Sequence, residues 1–315
     1  MKSSSILKSL LFACVVILLS VSCKKDEDPQ PQPVKPTIAE IASSDTSFSF
    51  LLAAATTAGL ADELAAPGAL TVFAPTNNAF RAAGYATKAA VEAADPTTLA
   101  GILTYHIISG AVFAKDVPAG PNASVPVLSG GVVYTTKNSS GVFVNGVKVV
   151  TADVEASNGV VHVIGSVLMP PSGNIVETAL ANADFTYLVA AITRASEGTT
   201  NVAAVLSGPG PYTVFAPVNQ AFIDAGYVTI ADIEAEEPDV LASILTYHVI
   251  SGRIFSSDLT NGATPATLNG GTVLIDLSSG AKVKGAENTS ASEIVSANIV
   301  ATNGVIHVID QVLLP

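Results

Sequence analysis

The chain contains no tryptophan, and its 315 residues include only two cysteines and two methionines. Aromatic residues make up 6% of it, which leaves little from which to build a platform for stacking sugar rings. The cysteines are Cys14 and Cys23, so everything after residue 23 is free of thiols. Disulfide staples, thiolate metal sites and cysteine nucleophiles are thereby excluded from any domain that follows. Positive charge is also scarce: 14 Lys and Arg stand against 26 Asp and Glu. Phosphate backbones are held by clustered Lys and Arg, so nucleic acid is excluded as a partner. Docking on anionic lipid by charge alone is excluded on the same ground. Past the first 21 residues, no run is long and apolar enough to read as a membrane span.

What remains is a chain that is 49% hydrophobic with modest charge, a composition for compact domains rather than disorder. Within it the same message is written twice. Thr71-Val72-Phe73-Ala74-Pro75 returns as Thr213-Val214-Phe215-Ala216-Pro217, and Leu103-Thr104-Tyr105-His106 returns as Leu245-Thr246-Tyr247-His248, both offset by 142 residues. Asn158-Gly159-Val160-Val161-His162-Val163-Ile164 returns as Asn303-Gly304-Val305-Ile306-His307-Val308-Ile309, offset by 145. A period this long marks a duplicated domain, because each copy is large enough to bury its own core. All four histidines lie inside the repeated motifs, which argues against a single shared active site.

Local signals follow the same order in each copy. Helical apolar spacing over Ile38–Ile41 and Phe48–Ala55 is matched by Ile175–Leu180 and Phe185–Thr193. Leu70–Phe73 and Tyr212–Phe215 read as short strands stopped by Pro75 and Pro217. Thr76 is placed to cap the next helix, but the second copy has Val218 there, so Asn219 must take over or the helix is weaker. Asp95-Pro96 opens a helix on which Leu99, Ile102, Leu103, His106 and Ile107 share one face, and Leu241 to Val249 repeat the pattern. His106 and His248 therefore fall on the apolar face, and Tyr105 and Tyr247 are turned about 100° from them. The second half of each copy is strand-like, with His162 alternating between Val161 and Val163. Pro170-Pro171-Ser172-Gly173 is the only break between copies, short enough to keep the domains in contact.

The first residues read as an export signal. Lys2 and Lys8 flank a short apolar run, Leu10 to Val21, that ends in Ser20-Val21-Ser22 before Cys23. This resembles the lipobox of a bacterial lipoprotein, with Ser20 in place of the usual aliphatic residue; the alternative is an ordinary cleaved signal with a chance cysteine. Residues 1–22 are expected to be removed and Cys23 to carry lipid, anchoring the protein to a membrane without embedding it. Removal takes away two lysines and no acid, leaving 12 basic against 26 acidic residues, a balance of −14. Residues 23–36, with Pro29, Pro31, Pro33 and Pro36, form an extended tether. Lys24-Lys25-Asp26-Glu27-Asp28 is either a solvated linker or, by resemblance, the surface-export signal of Bacteroidetes-type lipoproteins. Outer-membrane anchoring facing outward is the expected location, and facing the periplasm is the alternative.

The stretch Thr71 to Phe80, the pair Tyr105-His106 and the run Asn158 to Ile164 resemble the motifs of fasciclin-type domains, and residues 213–222, 247–248 and 303–309 repeat them. Each copy closes with Val-Leu-x-Pro, at 167–170 and 312–315. The departures are Val218 against Thr76 and Gly165 against Asp310. The resemblance implies an α+β fold with two tandem domains, 37–171 and 172–315, each a β-sandwich wedge with helices along one edge. It also implies adhesion at cell surfaces; an unidentified extracellular protein or glycan is the expected partner, with no cofactor or metal. Carried onto this sequence, it makes Tyr105, His106, Tyr247 and His248 candidate ligand contacts. Beside that stands the plainer reading that His106, His248, His162 and His307 are buried, hydrogen-bonded core residues, with Tyr105 and Tyr247 either turned to a ligand or buried beside their histidines. A passive spacer, or an accessory subunit of an envelope assembly, is the alternative function. Catalysis would have to draw on these histidines with acids such as Asp116, Asp153 and Asp258, but no His-Glu-x-x-His, Gly-x-Ser-x-Gly or phosphate-cradling glycine loop is present.

Overall fold

The computed structural model describes residues 35–315; the leader, Cys23 and most of the tether lie outside the described residues. Two α+β domains follow one another with the same order of elements, except that the second has one strand fewer. In the first, helices α1 (Ile38–Ser44), α2 (Ser49–Thr57) and α3 (Ala61–Ala65) precede strand β1 (Leu70–Pro75). Helices α4 (Asn77–Ala82), α5 (Lys88–Glu92) and α6 (Pro96–Tyr105) come next. Six strands then complete the domain: β2 (Ile107–Ser109), β3 (Gly120–Pro126), β4 (Val132–Asn138), β5 (Gly141–Val144), β6 (Val147–Ala156) and β7 (Gly159–Ile164). The second domain repeats this with α7 (Ile175–Leu180), α8 (Thr186–Ala195), α9 (Val202–Ser207), β8 (Tyr212–Pro217), α10 (Asn219–Asp224), α11 (Ile230–Ala235) and α12 (Pro238–Tyr247). It ends with β9 (Val249–Ser251), β10 (Leu274–Asp276), β11 (Lys282–Lys284), β12 (Ser292–Ala301) and β13 (Gly304–Ile309).

Each domain has one curled sheet. Its order is β2-β1-β7-β6-β5-β4-β3 in the first domain and β10-β11-β12-β13-β8-β9 in the second. The curl is made by the long strands β6 and β12. The start of β6 pairs with β5, its remainder pairs with β7, and register shifts between Val149 and Val154 bend it. Bulges add twist and turn a strand from one partner to another. β12 carries the equivalent shift between Ser296 and Ile299, and the left-handed residues Asp153 and Asn298 sit inside the two bulges.

The curl creates two cores per domain. One lies between helices and sheet and holds Phe50, Phe80, Leu99, Ile102 and Leu103, with Phe185, Phe222, Leu241 and Leu245 as counterparts. The other lies inside the curl and holds Phe73, Tyr105, Ile108, Val133, Val144 and Ile164, matched by Phe215, Tyr247, Ile250, Val273 and Ile309. β1 runs parallel to β7 between the two cores, pairing Phe73 with His162. Gly159 is required at the start of that pairing. Its φ is 152°, and a Cβ there would collide with the Leu70 carbonyl.

Helix starts follow the capping rules where the sequence provides a cap. Asp95 accepts from the Thr98 N–H at 2.7 Å and Pro96 occupies the first turn of α6, while Thr76 caps α4. Val218 leaves α10 without a side-chain cap, and Asn219 does not replace it. The Asn219 amide is committed elsewhere, accepting from the Tyr187 N–H at 3.1 Å and donating to the Ala183 carbonyl at 3.0 Å.

Candidate functional site: the Tyr-His motifs

The Tyr-His pair sits where α6 ends and β2 begins. Tyr105 is the last helical residue and His106 the cap, with Ile107 already paired to β1. His106 and His248 are 1% and 2% exposed. Each uses both ring nitrogens on backbone groups. His106 Nδ1 lies 2.7 Å from the Ile102 carbonyl, and its Nε2 lies 2.9 Å from the Leu168 N–H. A carbonyl can only accept and an N–H can only donate, so the ring is neutral with its proton on Nδ1. His248 repeats this against Ile244 and Leu313, at 2.8 Å on both sides. Burial pushes the pKa of both rings down to about 4, against the opposing effect of the carbonyl bond.

His162 and His307 are buried too, 3% and 0% exposed, and they have the opposite tautomer. His162 Nε2 donates to the Val112 carbonyl at 2.8 Å, while Nδ1 accepts the Asp153 N–H of the β6 bulge at 3.2 Å. His307 does the same between the Ile254 carbonyl at 2.8 Å and the Asn298 N–H at 3.4 Å. Burial lowers the pKa of His307 as well. Their rings lie 5.7 Å from Phe73 and Phe215. One histidine of each domain thus ties the C-terminal tail to the end of the helix, and the other holds the bulge that curls the sheet.

The structure decides the placement of the tyrosines. Turned off the helix core, Tyr105 and Tyr247 are open by sequence to two placements, facing a ligand or buried beside their histidines, and both are 1% exposed. They do point away from that core, and what lies there is the second core inside the curl. Tyr105 Oη donates to the Val132 carbonyl at 2.9 Å and accepts from Asn145 Nδ2 at 3.1 Å, and burial pushes its pKa up. Tyr247 Oη donates to the Thr272 carbonyl and accepts from the Ala286 N–H at 2.9 Å. The four candidate contacts, Tyr105, His106, Tyr247 and His248, therefore present no exposed surface in this conformation.

The other repeated polar residues serve the same end, and their roles were not read from sequence. Thr71 and Thr213, both 0% exposed, donate to the carbonyls of Gly110 and Gly252 and accept from the N–H groups of Val112 and Ile254. Asn158 accepts from the Ile38 N–H and donates to the Leu64 and Ala66 carbonyls; Asn303 does so with Ile175, Leu206 and Gly208. Polar side chains that are buried and repeated in the same setting are satisfied backbone staples. The acids considered for catalysis are spent similarly. Asp153 accepts from the Ala114 N–H and Asp258 from the Phe255 N–H, while Asp116 pairs only with exposed Lys115. Among the described residues, no group of three or more His, Cys, Asp or Glu is placed to hold a metal, and no helix is long and apolar enough to cross a membrane.

Fold and motif together define a tandem α+β module whose recurrent polar residues hold the backbone and leave no histidine nitrogen free for chemistry. The chain belongs to the fasciclin domain family, whose model matches residues 46–170 and 183–315. It is 40% identical over 141 residues to the uncharacterized protein sll1735 of Synechocystis sp., covering 45% of this chain and 97% of that one. It is 28% identical over 257 residues to transforming growth factor-beta-induced protein ig-h3 of Sus scrofa, covering 81% of this chain and 36% of that protein. Among solved structures, it resembles a domain pair from the insect cell adhesion molecule Fasciclin I, with a TM-score of 0.41, 18% identity, and coverage of 84% of this chain and 96% of that one.

Proposed function

We propose that this protein is a lipid-anchored, non-enzymatic adhesion protein that presents two fasciclin domains at a cell surface. The observation that carries the reading is the family match over both halves of the chain, in a family found in cell-adhesion proteins. The inward commitment of the Tyr-His pairs, the second histidines and the buried Thr and Asn staples moves recognition away from the Tyr-His motifs and onto the outer faces of the domains. The leader that precedes Cys23, the proline-rich tether and the acidic balance suit export and display on a membrane. The ligand is an extracellular protein or glycan. Direct hydrogen bonds between the domains also suit the second reading, a stiff spacer or accessory subunit in an envelope assembly.

Separate measurements test each part of this. Protease added to intact cells should digest the domains while a periplasmic marker survives, and Cys23→Ser should release the protein from membranes. Protection until the outer membrane is broken would place the domains in the periplasm and end the outward-facing reading. Saturable attachment of beads coated with the mature chain to matrix or neighbouring cells would support adhesion. Recovery only within a stable envelope complex, with no such attachment, would support the spacer.

A further inference from the structure

The two copies differ where they meet. Arg253 of the second domain is only 9% exposed, and no carboxylate among the described residues pairs with it. Its Nη1 donates to the Gly304 carbonyl at 2.7 Å and the Ala301 carbonyl at 3.3 Å, and Nη2 lies 3.4 Å from the Thr302 carbonyl. The face of the guanidinium is covered from the first domain by the Tyr134 ring, 4.2 Å from its carbon. Around this contact, Asn122 donates to the Arg253 carbonyl, Thr136 donates to the Asp258 carboxylate at 2.9 Å, and Asn138 donates to the Ser257 carbonyl at 3.1 Å. Phe255 adds a ring 5.9 Å from Tyr134.

We propose that Arg253 and Tyr134 form the latch that fixes the two domains in one orientation, and that this latch exists once per chain. A buried cation without an anion is costly, and the arrangement offsets that cost in two ways: carbonyls take the edge of the guanidinium and an aromatic face takes its plane. The planar fork of arginine suits both tasks at once, which a lysine does not. Tyr134 cannot leave without exposing the cation's face, so separating the domains forfeits the stacking and the surrounding hydrogen bonds together. The internal repeat gives an independent sign. The place of Arg253 in the first copy is Ala111, and the place of Tyr134 in the second copy is Leu274, which is 40% exposed. Both latch partners are therefore missing on the outward ends of the pair, so a second molecule cannot dock by the same contact. Head-to-tail interfaces that recur build filaments, and this one terminates after a single use. The latch also fixes the walls of a cleft of about 690 Å³ between the domains, lined in part by Asn145, Val150, Met169 and Asn298.

The test is the distribution of distances between spin labels on Lys88→Cys and Glu234→Cys, in the full-length chain with Cys14 and Cys23 changed to Ser. The native pair should give one narrow distribution. Arg253→Ala and Tyr134→Leu should each lose it and give a broad one. The two changes lie in different domains, so if Arg253→Ala unfolds the second domain, Tyr134→Leu carries the test by itself. A broad distribution in the native pair overturns the latch, as does a narrow one in either folded variant.

Discussion

At the scale of single residues, the main finding is that the most recognisable side chains of this protein are its most hidden. Tyr105-His106 and Tyr247-His248 invite a binding role because they are distinctive and paired, yet each polar atom they carry is bonded to the fold's own backbone or to a buried amide. His106→Ala would orphan the Leu168 N–H and the Ile102 carbonyl and leave a cavity, costing about 1–3 kcal/mol. Urea unfolding should show that loss, and an unchanged midpoint would contradict the staple role. Acid should act through the same residues. In the unfolded chain, His106 and His248 titrate near 6.5; in the folded chain, burial holds them at about 4. Their contribution is complete above about pH 6.5 and is lost as pH falls from there toward 4, because only the unfolded state takes up the protons. Unfolding midpoints measured across that window should decline, and His106→Ala should flatten the decline.

At the scale of elements, much of the pattern was legible from sequence, and the exceptions have physical causes. The order of helices and strands, the cap at Asp95 and the burial of the histidines all follow from spacing and residue type. The fate of the tyrosines does not, because a helical wheel separates two faces without saying whether the second meets water or another core. That second core exists only because β6 curls, and the curl depends on a bulge whose single signal is a left-handed Asp153. Nor does spacing reveal that Asn219 is already committed to Ala183 and Tyr187, which leaves α10 uncapped. Val218→Thr should supply the missing cap and stabilise the second domain by about 1 kcal/mol. Calorimetry can check this, and a neutral or negative effect would mean that the start of α10 tolerates no cap.

At the scale of the whole molecule, duplication explains both what the copies share and where they part. They share the staples, which each domain needs for itself, and they part at Arg253 and Tyr134, which only a joined pair needs. Identical motifs made the family visible, but the residues that join the domains carry no motif, and their only sequence signal is a mismatch between copies. The repeated histidines serve architecture, each holding backbone groups with both ring nitrogens. Because the chain has four histidines in all, one long-range ¹H–¹⁵N spectrum of the uniformly labelled protein reads every ring together. These backbone bonds require two rings protonated on Nδ1 and two on Nε2, with the Nδ1 pair remaining neutral at pH 5. Rings that average between tautomers, or an Nδ1 pair that titrates near 6.5, would contradict that requirement.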